Sequence, residues 1–324
     1  MGAMTTKTEE LLQAAPPEVS VYEVGLRDGL QNEPLVVPTA GKLALACALA
    51  DTGLQRIEAT SFVSPKWVPQ LADAAEFAGA LRDLGEGARR VAWSALVPNE
   101  RGLERADGTG LKEVAVFLSA SETHNKANIN KSIDATLELF GELVPQALSL
   151  GMKVRAYVST VWGCPYEGEV PIARSVEIAS RLVGYGCYQV SLGDTIGVGT
   201  PRQTMQIVRA MRVALDEDTV ALHFHDTRGT ALANVLAGLE CGIRTFDSSV
   251  GGLGGCPYAP GASGNLATED LVYMLDGMGI RTGVDLGKLV GAGQIAAQLL
   301  GRKLPGKVHQ AGPFQLRPFT TPSR

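Results

Sequence analysis

The sequence predicts an α/β chain folded as a (β/α)8 TIM barrel with a short C-terminal extension. Three observations carry that expectation. Eight short segments of strand character alternate strictly with helical ones; the alternation argues a parallel sheet, and eight units argue that the sheet closes on itself. The 324 residues suffice for one barrel of roughly 250 residues with ends to spare. Residues able to do chemistry fall just after the strand segments, on the face where such barrels build their sites. An open, doubly wound sheet is the alternative that alternation alone leaves.

The elements follow in order. Strand 20–24 stops at Gly25, and the Ala- and Leu-rich run 42–51 reads as the first helix. Strand 56–60 precedes the helical run 70–84, and strand 91–97 ends at Pro98. Strand 113–119 leads to the long helical run 132–150, and Gly151 separates that run from strand 153–159. Helix 172–183 begins behind Pro171 and returns to strand 189–192. Gly197-Val198-Gly199-Thr200-Pro201 lacks the lysine and spacing of a phosphate loop and reads instead as the approach to helix 204–215. Strand 220–225, helix 232–241 and strand 245–250 complete the eight units, and 266–275 reads as a further helix. The chain divides into an N-terminal tail (1–17), the barrel (18–304) and a proline-containing, basic C-terminal tail (305–324).

Composition bounds the partners. A net charge of -5 and a pI near 5.5 argue against a nucleic-acid surface. No apolar run reaches the roughly 20 residues of a membrane span. The opening residues have no apolar core and carry acids, so neither a secretory signal nor a transit peptide fits, and Met1-Gly2-Ala3 reads as a cloning remnant ahead of Met4. Five cysteines, an odd number without regular spacing, suit a reducing cytoplasm rather than a disulfide framework. The expected location is cytoplasmic.

The chemistry-bearing residues lie at strand ends. Arg27 and Asp28 follow the first strand, Glu58 sits near the end of the second, and Asp194 follows the sixth. His223 and His225 end the seventh, where the period of two puts both imidazoles on one face. Only 4 histidines occur in the chain, and two of them are here, although a bare His-x-His also fits two hydrogen-bonded core residues. Cys256 follows the eighth strand in Gly251-Gly252-Leu253-Gly254-Gly255-Cys256-Pro257-Tyr258, a glycine-flanked loop that is a poor core for a thiol, although free cysteine is usually buried and inert. Asn265, in Ser263-Gly264-Asn265, sits where a helix cap or a site ligand would lie. Cys47, Cys187 and Cys241 read as packing, and Cys164 as a turn residue that packs.

These segments, with Gly25 to Glu33, Ile57 to Trp67, Gly163 to Gly168 and Ser191 to Gly197, resemble the 3-hydroxy-3-methylglutaryl-CoA lyases. Those enzymes belong to the metal-dependent barrel family that also contains isopropylmalate synthase and homocitrate synthase. The resemblance runs in order from about Val19 to the low 300s. It implies a divalent cation, Mg²⁺ or Mn²⁺, held by Asp28, His223, His225 and Asn265, a donor set of oxygen and nitrogen without thiolate. It further implies Arg27 at the thioester carbonyl of an acyl-CoA, Cys256 as proton donor to the enolate, Asp194 at the C3-hydroxyl proton, and Glu58 behind Arg27 or the metal. Gln31, Tyr157 and Thr195 would contact substrate, with Glu269 and Asp270 also lining the site. Lys126 and Lys131 are candidates for the CoA phosphates. A homodimer is the family expectation.

Two departures from the lyases bear on this reading. Leu26 stands where proline is frequent, which changes no functional group. Arg228 stands where an aromatic residue is common, and a cation at the rim would touch the acyl carboxylate or CoA. It keeps alive a lyase for a related thioester such as citramalyl-CoA. A Claisen-condensing synthase and a non-catalytic acyl-CoA- or metal-binding paralogue are the remaining rivals.

The thiol gives the sharpest expectation. A thiol titrates near pH 8.5 and an alkyl alcohol far above, so serine is a poor substitute as acid. Cys256→Ser and Cys256→Ala are both expected to lose on the order of 10² or more in kcat with little change in melting temperature. Wild-type turnover in the serine variant makes the cysteine a bystander.

Overall fold

The structure, a computed structural model, describes residues 15–255 and 264–313. Eight parallel strands close in chain order into a barrel: β1 (Ser20–Glu23), β2 (Arg56–Ser61), β3 (Ala92–Leu96), β4 (Glu113–Ser119), β5 (Lys153–Ser159), β6 (Gln189–Asp194), β7 (Val220–Phe224) and β8 (Thr245–Ser248). Closure sets Ser20 opposite Thr245 and Glu23 opposite Ser248. The open-sheet alternative is thereby removed.

The outer ring contains α1 (Thr39–Ala50), α2 (Ala74–Ala80), α3 (Glu86–Arg89), α4 (Glu100–Asp107), α5 (Glu122–Ile129), α6 (Ile133–Ser149), α7 (Ile172–Tyr185), α8 (Pro201–Ala214), α9 (Ala231–Glu240), α10 (Thr268–Gly277), α11 (Leu286–Leu300) and α12 (Lys307–Ala311). Side chains cap several of them: Asn99 accepts from the Gly102 amide, Ser121 from His124 and Ser132 from Ala135. Thr200 and Gln203 form a capping box around Pro201, so 197–201 is indeed a helix approach. The single helix expected over 70–84 is broken into short turns around α2. Asp73 is drawn out of the run by Lys42 Nζ at 2.5 Å and Thr39 Oγ1 at 2.9 Å.

The apolar core lies between strands and helices, where Leu45, Leu49, Phe77, Phe140, Leu182, Val208, Val235 and Leu271 are buried. The barrel's lumen is polar instead. Tyr22 donates to Glu113 and pairs with Ser94, while Arg155 and Asp247 form a fully buried ion pair. No helix among the described residues is long and apolar enough to cross a membrane.

Two loop segments set up the mouth at the strands' C-terminal ends. Directly after β1, Gly25–Gly29 makes one π-helical turn in which the amides of Arg27, Asp28 and Gly29 all reach the Val24 carbonyl. Such turns concentrate at functional sites because they redirect side chains within one turn. A Cβ at Gly29 would stand 2.8 Å from both Leu253 Cβ and Ser249 Oγ. Beyond β8, Gly264 has φ +77, and a Cβ there would lie 2.3 Å from the Gly254 carbonyl oxygen. Only glycine fits either approach.

The segment expected as a tail beyond 304 is docked as far as it is described, and Glu269 and Asp270 take part in that docking. Gly306 donates to the Gly251 carbonyl, and Asp270 accepts from the amides of Lys307 and Val308. Glu269 accepts from the Gly251 amide at 2.7 Å, while Glu23 accepts from Gly25, Val250 and Thr268 Oγ1. Both acids are wholly buried, and burial lifts Glu23 to about 7 and Glu269 to about 8. The native state thus keeps protons that an unfolded carboxylate releases near pH 4.3. The stability each contributes is full below that pH and is lost as pH rises through about 7 and 8. The melting temperature is expected to fall between pH 6.5 and 8.5, and Glu269→Gln to flatten that fall in calorimetric scans at each pH. A wild-type melting temperature that rises across this range defeats the expectation.

Candidate active site and metal centre

Asp28, His223 and His225 converge at the mouth, with ligand atoms all within 4.8 Å of one another. β1 delivers the carboxylate through the π turn that follows it, and β7 delivers His223 near its end and His225 just past it. A bridge between His225 and Asn265, with the Asp226 amide donating to the Gly264 carbonyl at 3.0 Å, brings Asn265 across from beyond β8. Its Nδ2 donates to Asp28 Oδ2 at 2.8 Å and to the Leu253 carbonyl at 3.0 Å. Asn265 Oδ1 and His225 Nδ1 are buried without a hydrogen-bond partner among the described residues. Unpaired buried acceptors beside an acid and two imidazoles form a donor set that fits a divalent cation.

The electrostatics agree with that fit. Burial pushes His225 down to about 4, and the neighbouring His223 acts in the same sense, so this imidazole is neutral near pH 7 and able to ligate. Burial alone would raise Asp28, yet the Arg27 guanidinium and the two imidazoles hold it well below the usual carboxylate range. His223 Nδ1 lies 3.3 Å from Asp247 Oδ2.

Arg27 is 7% exposed and held from two sides. Its Nε donates to Glu58 Oε2 at 2.5 Å, Nη1 pairs with Asp28 Oδ1, and the guanidinium carbon lies 5.3 Å from the centre of the Tyr157 ring. Glu58 does not face the open mouth; burial lifts its pKa, against the pull of Arg27, and its Oε1 has no partner among the described residues. It is the residue behind Arg27.

A cavity of about 660 Å³ opens here, lined by Arg27, Asp28, Gln31, Tyr157, Thr195, His223 and His225 among others. Lys131 also lines it, whereas Lys126 is exposed and pairs with Glu122 at 3.1 Å. Asp194, the residue expected at the C3-hydroxyl proton, is held by the loop after β6. Its Oδ1 accepts from the Val198 amide at 2.9 Å and its Oδ2 from Gly199 at 2.8 Å, because that loop has donors to satisfy. Arg228 is turned away, its guanidinium donating to the carbonyls of Ile196 and Gly197 at 2.9 Å. Cys256 lies outside the described residues; Gly255, the residue before it, lines the cavity and accepts from Asn32 Nδ2 at 3.0 Å. Cys187 and Cys241 are packed as expected, and Cys164 is buried against Ser121, but Cys47 is exposed on α1.

Residues 18–295 match the family model described as HMGL-like. The chain belongs to the HMGL-like family. It is 51% identical to the mitochondrial hydroxymethylglutaryl-CoA lyase of Bos taurus over 91% of this chain and 90% of that protein. The crystal structure of the Bacillus subtilis HMG-CoA lyase matches with a TM-score of 0.89 and 48% identity, covering 92% of this chain and 98% of the other. An HMG-CoA lyase from Acenitobacter baumannii, in complex with coenzyme A and 3-methylmalate, matches with a TM-score of 0.88 and 39% identity, covering 94% and 98%.

This HMGL-like barrel also holds charges that reading the sequence missed. Asp247, in β8, lies against His223, and Arg155 of β5 neutralises it. The available signal was an ionised residue inside a short strand segment, which needs a partner wherever the strand is buried. Metal-stripped protein is expected to take up Mn²⁺, and His225→Ala to weaken that uptake by more than about tenfold by titration calorimetry. Equal affinity in the variant removes His225 from the centre.

Proposed function

We propose that this protein is a hydroxymethylglutaryl-CoA lyase that cleaves (S)-3-hydroxy-3-methylglutaryl-CoA to acetyl-CoA and acetoacetate with a divalent cation, Mg²⁺ or Mn²⁺. The observation that carries the reading is the convergence of Asp28, His223 and His225 beside the buried guanidinium of Arg27. Relatives about half identical along nearly their whole length bear that activity in their names, and the coenzyme A complex of a third supports an acyl-CoA substrate. Cytoplasmic action and a homodimer complete the proposal.

Asp28, His223, His225 and Asn265 Oδ1 would hold the cation. When bound, it supplies a Lewis acid that makes a neighbouring alcohol more acidic. Loss of the C3-hydroxyl proton lets that oxygen form the ketone of acetoacetate as the C2–C3 bond breaks. The bonding pair passes to the thioester oxygen as an enolate, which Arg27 stabilises. Glu58 fixes the guanidinium on its Nε edge, leaving the Nη groups for Asp28 and the developing oxyanion. Tyr157 backs the same guanidinium, and Gln31 and Thr195 offer hydrogen bonds from the cavity wall. Cys256 then protonates C2, giving acetyl-CoA. The hydroxyl proton passes to Asp194, each of whose oxygens accepts one amide and keeps a lone pair. With Arg228 bonded to carbonyls, the argument for a related substrate such as citramalyl-CoA loses its residue.

Acetoacetate release from a panel of acyl-CoA thioesters tests the reading. Turnover is expected with the hydroxymethylglutaryl thioester, abolished by chelation and restored by Mg²⁺ or Mn²⁺. Arg27→Gln is expected to lower kcat by about 10² to 10³, the scale of one lost oxyanion donor, with cation binding retained. Full activity in metal-stripped protein defeats the metal assignment. An unfolded or metal-free Arg27 variant shows instead that the arginine is structural.

A further inference from the structure

Beneath the mouth, the lumen carries charges that the proposed reaction leaves unused. Arg155 Nη2 donates to Asp247 Oδ1 at 2.7 Å and Nη1 to Oδ2 at 3.2 Å, both side chains fully buried. Arg155 is itself fixed. Its Nε donates to Gln189 Oε1 at 3.0 Å, and its guanidinium carbon stands 4.0 Å from the centre of the Tyr22 ring. Gln189 in turn donates to Thr245 Oγ1 and to the Asp218 carbonyl, each at 3.2 Å.

Asp247 has two further neighbours. Its Oδ2 accepts from Ser191 Oγ at 2.7 Å and lies 3.3 Å from His223 Nδ1. The contact is built into the sheet, because His223 and Asp247 are directly paired in the β7–β8 register. His225 has no equivalent, since its Nδ1 is without a partner among the described residues. The two imidazoles of the triad are therefore not equivalent.

We propose that Asp247, anchored by Arg155, is a positioning residue that holds His223 in its Nδ1–H form, so that the Nε2 lone pair is presented to the cation; this rests on reading Asp28, His223 and His225 as a cation site. A neutral imidazole has one N–H and one lone pair, and an ionised carboxylate only accepts, so the nitrogen facing Asp247 carries the proton. Carboxylate partners of this kind orient metal-binding histidines and raise their basicity. An ion pair serving only to fill the lumen would need Arg155 and Asp247 alone. The third contact, at a paired register position, ties the column to the mouth.

The chain's 4 histidines make the protonation state readable by NMR of metal-free protein labelled with ¹⁵N-histidine, at pH 8.5 where an ordinary imidazole is neutral. With His223→Asn identifying the signal, His223 is expected to carry its proton on Nδ1; a proton on Nε2 overturns the proposal. Removing the buried pair without stranding a charge, by Asp247→Asn with Arg155→Gln, is expected to weaken Mn²⁺ binding about 10- to 100-fold, read from the free ion by EPR. In a His223→Ala background the same two changes are expected to add less than about twofold. An unchanged affinity, or an equal loss with and without His223, shows that the pair acts only on the fold and overturns the proposal. Absence of Mn²⁺ binding by the wild type defeats the cation reading itself, and this inference with it. Binding that His223→Ala weakens and the pair variant does not defeats this inference alone. The NMR arm on native protein decides even where the pair variant fails to fold.

Discussion

The carboxylate of Asp28 is the point at which three parts of the chain are made to agree. It sits on the π turn after β1, receives the Arg27 guanidinium, accepts from Asn265 beyond β8 and clusters with the imidazoles of His223 and His225 at the end of β7. A carboxylate only partly exposed at the mouth is favoured by opposite charge nearby, since isolated charge is costly away from water. Arg27 supplies one positive charge, and Glu58 opposes it from behind. The site is therefore a balance of charges among Asp28, Arg27 and Glu58.

That balance is held by a lumen unlike the branched aliphatic interior common in this fold. Tyr22, Glu113, Arg155, Gln189 and Asp247 form linked polar contacts from the lower part of the barrel to His223. Buried ion pairs gain little stability over apolar packing of the same volume, but breaking one is costly. Their value here is geometric, because the members are tied to partners on other strands, several of them across the lumen, and cannot turn without leaving a charge bare.

The glycine-rich stretch beyond β8 is shaped from both ends. Gly251 is held by Glu269 on its amide and by Gly306 on its carbonyl, while Gly254 and Gly264 approach too closely for side chains. Docking of α12 through Asp270 joins the C-terminal segment to the same loop root. Residues that looked like substrate contacts in the sequence thus support the loop that leads to Cys256.

The sequence by itself determined the barrel and most of its centre. Strict alternation of short apolar strands with helices leaves little choice of architecture, and the spacing of His223 and His225, with Asp28 after β1, predicts a common mouth without knowledge of contacts. What it did not determine is the direction in which each acid points. Asp194, Glu269 and Asp270 fall at strand ends and helix starts, and backbone amides orient their oxygens. Unpaired N–H groups at loops and helix starts compete for any nearby carboxylate, and that competition is decided by tertiary geometry. The same holds for Arg228, claimed by two carbonyls, and for Asp247, whose importance depends on strand register rather than on any local motif. Position along the chain fixed which residues reach the rim, and only the closed barrel decided which of them face the cavity.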